Sequence, residues 1–119
     1  LDVGLPDRIG DVAYLERLAD ALPRALEDPV PDIALYLAGA DPYRRDQLGG
    51  LGLTREGLRR RDRLVLDAVR RHGIPVAVLL AGGYAVRLED TVSIHAATVG
   101  EALRTARKTA GGEGSARVG

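Results

Sequence analysis

Two carboxylates, one tyrosine and a pair of glycines are the residues of this chain best suited to chemistry. Asp41 and Asp46 lie in Gly39-Ala-Asp-Pro-Tyr-Arg-Arg-Asp46, just after a short apolar run, and Gly82-Gly83-Tyr84 follows a second such run. A carboxylate can ligate a cation, and a zinc centre would join one to imidazoles while keeping a position open for water. Adjacent glycines let backbone approach a ligand closely or adopt positive φ. A tyrosine placed directly after them can donate its phenolic O–H to a developing oxyanion. Ordinary roles compete with these: Asp before Pro is a common turn opener, and Gly-Gly-Tyr equally suits a turn with the ring packed at its edge.

The remaining ionisable residues add little. His72 and His95 are the only histidines, and they form no HxH or HExxH zinc pairing. At the last turn of a helix, His72 reads as a surface residue suited to the helix dipole. His95, between Ile94 and Ala96, reads as a semi-buried structural residue. Arg59-Arg60-Arg61 has no interleaved aromatics and has Glu56, Asp62 and Asp67 around it, the pattern of a solvated helix face.

Composition removes whole classes. Among 119 residues, 17 Lys plus Arg balance 17 Asp plus Glu, so no long-range field steers nucleic acid or anionic lipid to the surface. The absence of cysteine removes disulfides, thiolate zinc sites, iron–sulfur clusters and thiol nucleophiles, and a cytoplasmic setting is expected. No P-loop or GxGxxG occurs. The longest apolar runs, Ile33 to Ala40 and Ile74 to Ala81, fall far short of the roughly 20 residues a spanning helix needs. No signal peptide is visible at the N-terminus. All the cations but Lys108 are arginine, a skew expected of a GC-rich bacterial genome. Met is absent and the chain opens on Leu1, so a fragment of a longer protein is expected.

The elements that must hold the aspartates and the tyrosine follow from periodicity. Asp11 is the expected N-cap of a first helix carrying Tyr14, Leu15, Leu18, Leu22, Ala25 and Leu26, which Asp28-Pro29 stops. Asp32 to Ala38 is an apolar run with little alternation, as in a strand covered on both faces of a parallel sheet. A loop from Gly39 to Leu53 follows, longer than a connection needs. Thr54 caps a second helix with Leu58, Val65, Ala68 and Val69 on one face, and Gly73 suits its C′ position. Pro75 to Ala81 is a second buried strand, and a third helix is expected from about Thr91 to Lys108. With Leu1 to Leu5 as the end of another strand, the order is β-α-β-α-β-α, a parallel α/β sheet with helices on its faces. Residues 1–109 form the domain, and 110–119 a flexible Gly-rich tail. Ligands of such sheets bind beyond the strands' carboxyl ends, where both candidate segments lie.

These residues resemble a known family. Leu37-Ala-Gly-Ala-Asp-Pro-Tyr-Arg-Arg-Asp-Gln-Leu-Gly49, Leu53-Thr54, Gly57-Leu-x-x-Arg61-Asp62 and Leu80-Ala-Gly-Gly-Tyr84 look like the C-terminal third of the histone deacetylases, which include acetoin-utilisation proteins and acetylpolyamine amidohydrolases. Leu1-Asp-Val-Gly-Leu-Pro-Asp-x-x-Gly-Asp11-x-x-Tyr14-Leu15 is similar to the preceding family segment. The Gly-Leu-x-x-Arg-Asp and Ala-Gly-Gly-Tyr elements look closest to the class IV branch and its bacterial relatives.

The resemblance implies the three-layer α-β-α arginase-deacetylase fold and a zinc-dependent hydrolysis of an acetylated lysine or a small acetylated amine. By position, it makes Asp46 the family's third zinc ligand and Tyr84 the tyrosine that stabilises the tetrahedral oxyanion. It makes Leu53 an apolar wall of the substrate tunnel and sets Gly82 and Gly83 beside the tyrosine. The family's Asp-x-His ligands and tandem histidines match nothing here, so Zn²⁺ is expected in a longer parent and the isolated chain is expected to be inactive. The missing N-terminal part of the same domain is the expected partner, with no direct nucleic-acid or membrane contact. The rival expectation is a non-catalytic structural or interaction module that keeps the fold.

Overall fold

The computed structural model describes residues 1–118, with side chains described as far as Ala110. The order is α1 (Asp11–Leu26), β1 (Ala34–Gly39), α2 (Arg55–Arg71), β2 (Val76–Ala81) and α3 (Leu88–Val118). The strands pair in parallel, from Ala34 opposite Val76 to Gly39 opposite Ala81, with α2 as the crossover that parallel pairing requires. This is the expected parallel α/β arrangement flanked by helices. Because the register is in phase, both strands end together and release their loops on one edge.

Local chemistry sets the helix ends. Thr54 caps α2 by accepting the Gly57 N–H at 3.0 Å, and Gly73 ends it at φ +67. At α1 the cap is Gly10, and Asp11 is the first helical residue instead. The Asp11 carboxylate accepts the Thr54 N–H at 2.9 Å and the Thr54 hydroxyl at 2.5 Å, tying the starts of α1 and α2 together. Gly57 is required there, because a Cβ would overlap that carboxylate. The third helix begins at Leu88, about a turn before Thr91, with Glu89 and Asp90 at its positive end. The same helix continues through Val118, past the expected end at Lys108 and across most of the 110–119 segment expected as a flexible tail, whose side chains beyond Ala110 lie outside the described residues.

Residues 1–5 form no strand. Among the described residues no neighbour offers them a ladder, and a strand exists only through its hydrogen-bonded partner. The observed order is therefore α-β-α-β-α rather than β-α-β-α-β-α. The segment is held by Arg17, which donates to Gly4 O at 2.7 Å, and just beyond it the Arg8 backbone N–H donates to Gly50 O at 2.8 Å.

Two apolar clusters hold the layers together. Leu26, Ala68, Val69 and Ile74 close one end, while Ile9, Ala40, Tyr43, Leu53, Leu58 and Ile94 pack beneath the loops at the strands' carboxyl ends. Tyr36 reaches α2, so alternation along the strand sends Leu35 and Leu37 to the opposite face. Each is 65 % exposed, leaving an apolar face of the sheet uncovered by the described residues. No helix among them is long and apolar enough to cross a membrane.

Candidate active site

Asp46 lies in the loop after β1 and accepts three backbone N–H groups. Its Oδ1 accepts the N–H groups of Leu48 and Gly49, both at 2.8 Å, and its Oδ2 accepts the N–H of Tyr84 at 2.7 Å. Burial raises the pKa of such a carboxyl, but the three N–H donors outweigh it and hold the group below its ordinary value. Next to it, Gln47 donates its own N–H to Tyr84 O at 2.9 Å. The loops after β1 and β2 are thus stitched together along 45–47 and 84–86.

Asp41 has a different environment. Its Oδ1 lies over the two strand ends: a Cβ on Gly39 would overlap it, and one on Gly82 would come within 2.8 Å. Gly82 and Gly83 sit at φ +57 and +121, a region open to glycine at little cost. A Cβ on Gly83 would meet Thr91 and Ala40 at 2.8 and 3.0 Å. These glycines therefore make room for the Asp41 carboxylate and for close packing of the β2 exit. Among the described residues nothing hydrogen-bonds that carboxylate, and Asp41 is exposed.

Behind this edge lies a buried polar network. Arg61, only 4 % exposed, donates to Asp62 Oδ1 at 3.0 and 2.9 Å and to Gly39 O at 2.6 Å. Asp62, fully buried, also accepts the Tyr36 and Thr98 hydroxyls, each at 2.5 Å. Burial pushes the Tyr36 phenol well above its usual range, so it keeps the proton it donates. Arg61 thereby anchors the carbonyl two residues before Asp41. The solvated-face reading of Arg59-Arg60-Arg61 holds for the first two and fails for Arg61. Arg61 lies three residues after Leu58 and four before Val65, on the apolar face of α2. That spacing was the available signal.

Leu53 is 0 % exposed and belongs to the core under the loops, so its side chain cannot wall a tunnel. The exposed leucine is Leu48, at 75 %, next to the Gln47 that binds Tyr84. Tyr84 itself is 59 % exposed. His95 directs Nε2 at Gly82 O, 3.2 Å away, as a half-buried residue packed at the glycine turn. His72 is half-buried rather than superficial, with Nδ1 2.8 Å from Ala68 O.

Among the described residues, no group of three or more His, Asp or Glu converges as a metal site requires. The donor set here fits one oxygen ligand of a zinc centre, the Asp41 carboxylate, and not a complete site.

Residues 1–99 match the histone deacetylase domain. The chain belongs to the histone deacetylase family. Its parallel α/β architecture is that of the arginase-deacetylase fold. It is 44 % identical over 95 residues to an uncharacterized protein of Picosynechococcus sp. (strain ATCC 27264 / PCC 7002 / PR-6), covering 80 % of this chain and 32 % of that protein. It is 37 % identical over 71 residues to histone deacetylase 2 of Arabidopsis thaliana, covering 60 % of this chain and 18 % of that one. The chain thus spans at most about a third of the length of these relatives.

Proposed function

We propose that this chain forms one side of the active site of a zinc-dependent deacetylase, acting on an acetylated lysine or a small acetylated amine. The observation that carries the reading is the unpartnered Asp41 carboxylate, set over Gly39 and Gly82 on the edge from which Tyr84 emerges. It favours Asp41 over Asp46 as the metal-facing group, because both Asp46 oxygens already accept backbone N–H groups. The class IV-like motifs, the lack of cysteine and the arginine excess support a bacterial, cytoplasmic member of the family.

Bound zinc would polarise the amide carbonyl and an attacking water. The chain's own contribution is fourfold. Asp41 offers a carboxylate oxygen to the metal. Tyr84 directs a phenolic O–H at the oxygen that gains charge as the carbonyl becomes tetrahedral. Leu48, rather than Leu53, presents an apolar side chain where the acyl-bearing substrate enters. Gly82 and Gly83 keep the backbone beside the substrate free of side chains.

Further ligands and the base that activates water come from the rest of the domain, which we place on the open sheet face at Leu35 and Leu37. A single carboxylate does not hold catalytic zinc, which uses three protein ligands, so the isolated chain is inactive. Zinc content and acetate release from an acetyl-lysine peptide and from an acetylated polyamine test this. The natural polypeptide that carries the segment binds stoichiometric zinc and releases acetate, while the 119-residue chain does neither. A zinc-free natural polypeptide without turnover would establish a non-catalytic module instead.

A further inference from the structure

We propose that Asp46 is the positioning residue for Tyr84, fixing the backbone from which the phenol reaches the Asp41 edge; this rests on the deacetylase reading above. The residues preceding Tyr84 do not set its direction. Gly82 and Gly83, at φ +57 and +121, belong to a residue type with the widest choice of backbone angles. Nor is the side chain held: Tyr84 is 59 % exposed, and among the described residues its hydroxyl has no hydrogen-bond partner.

What is held is its main chain, from both sides and by one loop. The Tyr84 N–H donates to Asp46 Oδ2 at 2.7 Å. Tyr84 O accepts the Gln47 N–H at 2.9 Å and Gln47 Nε2 at 3.2 Å. The Val86 N–H closes the ladder on Arg45 O at 3.0 Å. Asp46 cannot swing away, because Leu48 and Gly49 hold its other oxygen at 2.8 Å each. The same loop folds back on Asp41, close enough that a Cβ on Gly49 would overlap Asp41 O. One carboxylate therefore couples the loop bearing Asp41 to the backbone bearing Tyr84. Two groups that must meet one carbonyl are kept in register, and a misplacement of about 1 Å can cost about 10²-fold in rate.

Asp46→Asn tests this. It keeps the size and leaves one oxygen for Leu48 and Gly49, but turns an NH₂ toward the Tyr84 N–H, donor facing donor. In the 119-residue chain, amide exchange at Tyr84 accelerates. In the natural polypeptide, kcat falls by about 10- to 10²-fold while KM and zinc per chain stay unchanged. Loss of zinc would make Asp46 a ligand and overturn the proposal, as would an unchanged kcat. Gln47→Ala, which removes the side-chain donor to Tyr84 O and Ala85 O but keeps the Gln47 N–H, serves if the first variant fails to fold. It lowers kcat severalfold with zinc retained, and no change there overturns the proposal. A wild-type polypeptide that releases no acetate defeats the deacetylase reading instead, and amide exchange alone then judges the clamp: unchanged exchange at Tyr84 overturns it.

Discussion

The backbone N–H of Tyr84 donates to the Asp46 carboxylate at 2.7 Å across 38 residues of sequence. That bond joins the loops leaving two parallel strands and turns Oδ2 of Asp46 toward the protein backbone. Asp41, five positions earlier, keeps both of its oxygens clear of protein donors. In the proposed deacetylase site the roles divide accordingly: Asp41 is the metal-facing carboxylate, Tyr84 the donor to the substrate, and Asp46 the group that holds the two loops together.

Tyr84→Phe in the natural polypeptide lowers turnover by about 10²- to 10³-fold, the usual cost of a lost oxyanion donor, and leaves zinc content intact. Asp41→Asn has the opposite signature: zinc per chain falls, as read by elemental analysis. A Tyr84→Phe enzyme with wild-type turnover removes the phenol from the mechanism.

The two leucines of the loop separate stability from function. Leu53→Ala opens a cavity in a fully buried site and lowers unfolding free energy by about 2–5 kcal/mol. Leu48→Ala changes it by no more than about 0.5 kcal/mol, because that side chain is solvent-exposed, and it raises KM for the acylated substrate. Denaturant titration and steady-state kinetics on both variants check the contrast.

Asp62→Ala strands the buried Arg61 guanidinium and leaves the Tyr36 and Thr98 hydroxyls without their acceptor. Breaking a buried pair in this way costs about 3–5 kcal/mol. Replacing both charges together, Arg61→Met with Asp62→Leu, recovers part of the loss in urea unfolding. The anchor on Gly39 O stays lost, so turnover in the natural polypeptide does not recover with it.

Glu101 gives the fold an acid limit. The residue is 2 % exposed, and burial would raise its pKa. Hydrogen bonds from Arg63, Arg104 and Arg59 prevail and bring it down to about 2, from an ordinary 4.5. A depressed carboxyl pKa contributes stability that is complete above the unfolded value and is lost as pH falls through the folded one. Stability therefore declines from about pH 4.5 toward pH 2. The loss is at most about 3 kcal/mol, reduced by solvent screening because Arg59 and Arg63 are half-exposed. Glu101→Gln flattens that part of the profile, as followed by circular dichroism.

Much of the fold was legible because it rests on local patterns. Thr54 announces the start of α2, Gly73 its end, and the two apolar runs become the paired strands. Leu1 to Leu5 misled for a physical reason: an apolar opening looks like a strand, but a strand also needs a neighbour. Asp11 misled differently, since a cap-type residue at a helix start can serve another helix's cap, as it serves Thr54.

By itself, the sequence determined which residues could act and that they would share one sheet edge, because parallel strands of equal length release their loops on the same side. Only the tertiary structure gave the like residues different surroundings. Asp41 and Asp46 are chemically identical, and Leu48 and Leu53 likewise, so no residue type or spacing ranks them. The ranking comes from which carboxylate meets the N–H of Tyr84, 38 residues on, and which leucine the core encloses. Arg61 turned inward for the same reason: a buried charge is tolerated where a fold brings it an acceptor, and Asp62 and Gly39 O supply one here.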